Sequence, residues 1–99
     1  MNNKRRKRIA EICAQIETLK AQLENAHSLK DEIEELQGEE QESFDNLPES
    51  LQQGDKGQAM EQAVEALEEA ADQLEDGLSA AIDALDEVLA SLGNSSNGS

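Results

Sequence analysis

SFDNLPESLQQGDKG, residues Ser43 to Gly57, is the stretch that decides how this chain folds. It contains the only Phe and the only Pro of the 99 residues, and two of the six Gly. On each side of it the sequence is long and polar, with apolar residues at helical spacing. We therefore predict an all-α protein in which two long helices pack as an antiparallel coiled-coil hairpin, with this stretch as the corner.

The region before the corner repeats apolar residues in alternating steps of three and four, the heptad pattern of a coiled coil. Two consecutive steps of three, Leu23 to Ala26 and Ala26 to Leu29, predict a local overwinding. We predict one helix over residues 9–43, weakened at Gly38 by about 1 kcal/mol relative to Ala. Residues 1–8 are predicted to be a basic tail.

The corner, residues 44–56, contains the signals of a short helix of its own. Asn46 and Glu49 have the spacing of a capping box, and Pro is tolerated in a first helical turn. Gly54 is expected to end this short helix. We expect the apolar side chains of the corner to plug the end of the helix pair, with contact to a partner protein as the alternative. The predicted plug consists of Phe44, Leu47 and Leu51, and Pro48 is the fourth residue of the corner set.

The region after the corner has the most regular pattern of the chain and predicts a helix over residues 57–92, followed by a flexible tail over residues 93–99. Additional apolar residues widen its seam beyond what one partner helix covers. This favours pairing of two hairpins into a four-helix bundle, so we expect a homo-oligomer, most simply a dimer. The seam is formed by Met60, Val64, Leu67, Ala71, Leu74, Leu78, Ala81, Leu85, Val88 and Leu92.

Charge is distributed very unevenly. The formal net charge is −15, and no Lys or Arg follows Lys56. A surface this acidic repels nucleic acid and lipid head groups and attracts basic proteins. The acidic stripe of the second helix is therefore a solvated face, a binding surface for a basic protein partner, or a weak binding surface for divalent cations. Its candidate partner-binding residues are Glu61, Glu65, Glu68, Glu69, Asp72, Glu75 and Asp76.

Five of the eight basic residues form one block at the start of the chain. The simplest interpretation is that the block neutralises the acidic end of the second helix near Asp83, Asp86 and Glu87. The alternative is a nucleic-acid-binding arm, and we expect nucleic-acid binding only there. The block consists of Lys4, Arg5, Arg6, Lys7 and Arg8.

No constellation of catalytic residues is recognisable. Cys13 and His27 are the only Cys and His, and they are expected at the helix interface and at its rim. The carboxylates have no apolar walls that would raise a pKa for acid–base chemistry. We therefore expect no enzymatic activity, no cofactor and no metal. With no apolar run near the ~20 residues that span a bilayer and no signal-peptide pattern, we expect a cytoplasmic protein without membrane contact.

The corner FDNLPESLQ, between a helix with a basic start and an acidic coiled helix, resembles small uncharacterised proteins of tailed phages and prophages. This resemblance implies an accessory protein made in an infected bacterial cell, and it implies no site. We expect such a protein to bind a host or phage protein and to inhibit a DNA-acting or defence enzyme through its acidic surface. A structural or assembly role, as a scaffold or chaperone of the virion, is the first alternative, and the nucleic-acid arm is the second.

Overall fold

The computed structural model describes residues 3–97 and is all-α over that range, with long helices packed against each other. Its four helices are α1 (Asn3–Asn25), α2 (His27–Asp45), α3 (Glu49–Gln52) and α4 (Asp55–Asn97). No strand occurs among these residues. The all-α class predicted from the sequence is therefore confirmed.

The region before the corner is two helices where the sequence predicted one. A turn at Ala26 separates α1 from α2. The Ala26 N–H donates to the carbonyls of both Gln22, at 3.0 Å, and Leu23, at 3.2 Å. The second bond is of the tighter 3₁₀ type, so the backbone tightens at the residue where two steps of three predicted overwinding. Gly38, in contrast, lies inside α2 without interrupting it.

The predicted basic tail is also helical, because α1 already begins at Asn3. Lys and Arg are good helix formers, so a run of five extends the helix towards the N terminus. The described part of the basic tail, residues 3–8, therefore belongs to α1.

At the corner, α3 is the predicted short helix, but the predicted cap is not formed. The N-cap residue of α3 is Pro48, and no side chain caps the helix. The Leu51 and Gln52 N–H groups donate to the Pro48 carbonyl at 2.8 and 3.1 Å. A capping box from Asn46 to Glu49 requires Asn46 as the N-cap, two residues before the one observed.

Helix α4 is longer at both ends than predicted. It begins at Asp55, whose carboxylate in the first turn complements the positive end of the helix dipole. It continues through Gly93, which was expected to end it, as far as Asn97. A terminating Gly usually takes a left-handed conformation, and no described Gly has a positive φ. The predicted flexible tail is thus helical up to Asn97, and residues 98–99 lie outside the described range.

Contacts divide the chain into two compact units. The first combines α1 and the turn at Ala26 with the part of α4 from Gly77 onwards. The second spans His27–Asp76 and contains α2, α3 and the start of α4. Each unit brings together helices from separate parts of the sequence.

The apolar core is thin, as the composition predicted. Ala71, at 2% exposure, and Leu78, at 8%, are the buried apolar residues of the described chain. The other members of the α4 seam are half-buried, except Val88, which is exposed. Five large apolar side chains remain exposed: Leu19, Leu29, Leu36, Leu51 and Val88.

Candidate functional site

An acidic concavity lies on α4 within the second unit. It has a volume of about 300 Å³. Its five carboxylates stand at i, i+3, i+4, i+7 and i+11, a spacing that brings them to one helix face. No basic side chain lines it, so the negative charge at this point is uncompensated. The lining residues are Glu65, Glu68, Glu69, Asp72, Gln73 and Asp76.

Repulsion among these carboxylates opposes the helix that carries them. Like charges at i,i+4 cost about 0.2–0.5 kcal/mol per pair in an isolated helix. One local bond eases this, since the Gln73 amide donates to Glu69 Oε1 at 3.3 Å. The concavity therefore depends on the packing of the opposite face of α4, where Ala71 is buried.

Two of the seven predicted partner-binding residues lie outside this concavity. Glu61 is exposed and does not line the concavity. Glu75 instead contacts α2, with Oε2 2.6 Å from Lys30 Nζ. This hydrogen bond lowers the pKa of Glu75, and the nearby His27 contributes to the same shift. Glu75 is therefore paired with Lys30, and its side chain is still 48% exposed.

Lys30 also lies 3.4 Å from Glu34 Oε1 on its own helix. Its hydrogen bond to Glu75 is the main cause of its raised pKa, with Glu34 adding to it. In the first unit, Lys20 Nζ lies 2.6 Å from Asp86 Oδ1, and this bond raises the pKa of Lys20. These are the only Lys or Arg residues from Ile9 to Asp55, and both contact α4.

The basic block forms a second concavity, of about 360 Å³, lined by Lys4, Lys7, Arg8 and Glu11. Arg8 pairs with Glu11 at 3.3 Å, and the five basic side chains are exposed. Asp86, which the block was expected to neutralise, is paired with Lys20. The block is thus a charged helical turn with an acidic neighbour on its own helix.

The corner side chains do not all behave as a plug. Phe44 and Leu47 are half-buried, whereas Pro48 is exposed and Leu51 is 49% exposed. Leu51 therefore does not share the burial expected of the plug. It is one of the exposed apolar side chains of the second unit.

Two residues that the sequence did not single out organise the corner. The Gln52 side-chain amide donates to the Phe44 carbonyl at 3.1 Å and to the Leu47 carbonyl at 3.2 Å. Gly57 is buried, and a Cβ built on it would lie 2.7 Å from Gln52 Cα. The sequence signal was a Gly within the first turn of a helix, where Ala is otherwise the better helix former.

The isolated reactive residues add no further site. Cys13 and His27 are both half-buried. Within residues 3–97, no group of three or more His, Cys, Asp or Glu is arranged to hold a metal ion. Over the same range, no helix combines the length and the apolar character needed to cross a membrane.

Comparison with protein-family models, with curated proteins and with solved structures finds no match to this chain. A functional assignment therefore depends on the chemistry of its own residues.

Proposed function

We propose that this chain is a phage accessory protein without enzymatic activity, which acts by binding a basic protein through the acidic concavity of α4. In an infected cell, a DNA-acting or defence enzyme of the host is a suitable partner, because such enzymes present basic grooves to the phosphate backbone. Occupying such a groove would inhibit the enzyme.

The observation that carries this proposal is that some carboxylates of the second unit have a basic neighbour, whereas those of the concavity do not. Lys30 compensates Glu75 at the packed edge of the second unit. The five carboxylates of the concavity have no basic side chain in its lining. Complementary charge mainly increases the rate and specificity of association, so the partner surface should carry several Lys or Arg.

We further propose that the helices form an antiparallel hairpin and that two copies pair as a four-helix bundle. In the second unit, α2 and the start of α4 are joined through the corner. The contact of Lys30 with Glu75, far from the corner along both helices, supports antiparallel packing there. The thin core supports pairing, because so few apolar residues are buried within one chain.

The test of the binding surface compares two variants of equal net charge. The concavity variant neutralises the five carboxylates as Glu65→Gln, Glu68→Gln, Glu69→Gln, Asp72→Asn and Asp76→Asn. The control neutralises five exposed carboxylates of α1 and α2 as Glu17→Gln, Glu24→Gln, Asp31→Asn, Glu35→Gln and Glu42→Gln. Both change the formal charge from −15 to −10.

Each tagged protein is used to capture partners from a lysate of phage-infected bacteria. We expect the wild type and the control to retain a basic, DNA-handling protein, and the concavity variant to bind it about tenfold more weakly or worse. Equal loss in both variants would show that only overall charge matters. Enrichment of capsid or tail proteins would instead support the assembly role.

A further inference from the structure

The second unit has an apolar face that none of the described residues covers. Leu29 is 49% exposed and Leu36 is 53% exposed. They are seven residues apart on α2, so they lie on the same side of the helix, two turns from each other. Ile33, between them in the seam, is half-buried. The two Leu side chains therefore project beyond the packed edge of α2.

This face lies on the opposite flank of the helix pair from the Lys30–Glu75 contact. Leu29 directly precedes Lys30 and is turned about 100° from it around α2. On α4, Ala70 and Glu75 are five positions apart, about 140° around the helix, and flank the buried Ala71 on opposite sides. The α4 residues on the Ala70 flank carry no carboxylate: Ala59, Ala63, Ala66 and Ala70, with Lys56 one turn before Ala59.

The solvent-accessible area of the chain is larger than that of a typical folded monomer of the same mass. The chain exposes 6963 Å², whereas a folded monomer of 10.8 kDa exposes about 5,500 Å². The excess of about 1,400 Å² is larger than the roughly 800 Å² that each partner contributes to a stable interface. The exposed area is therefore sufficient for one interface of standard size with a further subunit.

The distribution of charge indicates which protein covers this face. A basic partner is attracted to the carboxylates, which the Ala70 flank of α4 lacks. A second copy of the chain, with its own net charge of −15, can approach closely only where carboxylates are absent. The seven-residue spacing of Leu29 and Leu36 also fits a helix with the same repeat, and the chain itself supplies one.

We propose that a second copy of this chain covers the face formed by Leu29 and Leu36 of α2 with the Ala70 flank of α4. This inference rests on the proposed self-association and specifies its surface. Such pairing leaves the acidic concavity of each copy open to a basic partner. Glu32 and Glu39 lie at the outer rim of this face, so added salt should strengthen the pairing by screening them.

The test measures mass by sedimentation equilibrium on the purified full chain without any partner. We expect the wild type to have twice the 10.8 kDa chain mass at micromolar concentration. The double variant Leu29→Gln, Leu36→Gln should associate about a hundredfold more weakly or worse, because each substitution removes a Leu from both copies. Leu51→Gln, at an equally exposed Leu of the same unit, should leave the dimer intact.

A second measurement does not depend on the double variant remaining folded. In a Cys13→Ser background, a thiol is introduced by Leu36→Cys or, as the control, by Leu51→Cys. The alkylation rate of the first thiol should fall as protein concentration rises through the dimer range, while that of the second stays constant.

A monomeric wild type would overturn both the self-association and this surface. A dimer that survives the double variant, or a thiol at position 36 that is never protected, would overturn the surface alone. None of these three results bears on capture of a basic partner, which is measured separately with the concavity variant.

Discussion

Replacing Gly57 with Ala should destabilise the protein, although Gly57 lies in a helix where Ala is normally favoured. A Cβ on Gly57 would lie 2.5 Å from the Gln52 carbonyl carbon and 2.7 Å from its Cα, and closer still to its oxygen. Carbon atoms in ordinary contact are about 3.5–4.0 Å apart. The overlap of about 1 Å is with backbone, so no side-chain rotation relieves it.

The magnitude follows from what must move. Ala favours the helix by about 1 kcal/mol, whereas overpacking of a rigid contact costs about 1–3 kcal/mol. Moving Gln52 also strains its two bonds to the Phe44 and Leu47 carbonyls, each worth about 0.5–1.5 kcal/mol. We expect a net loss of about 1–4 kcal/mol in the free energy of unfolding.

Thermal and urea denaturation followed by circular dichroism, at one fixed protein concentration, measures this loss. Each kcal/mol corresponds to roughly 4–8 °C in Tm for a domain of this size. The matched controls are Gly38→Ala and Gly77→Ala, where an added Cβ meets nothing within 4 Å. These should each stabilise the helix by about 0.5–1 kcal/mol. If Gly57→Ala raises Tm as the controls do, the close approach of α4 to Gln52 is refuted.

Three further predictions concern the corner and the charges. Gln52→Ala should lower the free energy of unfolding by about 1–3 kcal/mol, because two hydrogen bonds to carbonyls are lost. The control Gln53→Ala changes the neighbouring exposed residue and should have little effect. Equal urea midpoints for the two variants would contradict the role of Gln52. Phe44→Ala should lower Tm by several degrees if Phe44 is the plug of the corner, whereas an unchanged Tm with lost partner binding would assign it to partner contact. Stability should rise with salt, and also as pH falls from about 7 to 5, because both weaken carboxylate repulsion. The contribution of Glu75 persists over that range, because its folded pKa is lowered from 4.5. That contribution is lost only as pH falls from about 4.5 through the folded pKa. The contribution of Lys30 is lost only as pH rises through a folded pKa above 10.5. A Tm that falls between pH 7 and 5, or with added salt, would refute this account.

The sequence by itself determined the helices. Alternating steps of three and four specify helical faces whatever lies against them, and the two steps of three at Ala26 marked the place where α1 gives way to α2. The acidic concavity was also readable, because residues at i, i+3, i+4 and i+7 share a face in any α-helix. Helix ends were less predictable. The basic block lies inside α1 and Gly93 lies inside α4, because neither Lys nor Gly ends a helix unless the backbone leaves the helical conformation.

Only the tertiary structure decided which residues meet across the chain. The pairing of Glu75 with Lys30 depends on which part of α4 lies beside α2. The exposure of Leu29 and Leu36 has the same origin, since a heptad position is buried only where a neighbouring helix covers it. Gly57 is the clearest case. From the sequence alone, Gly57 is a residue that weakens a helix. Only the close approach of the Gln52 backbone shows that no side chain fits at this position.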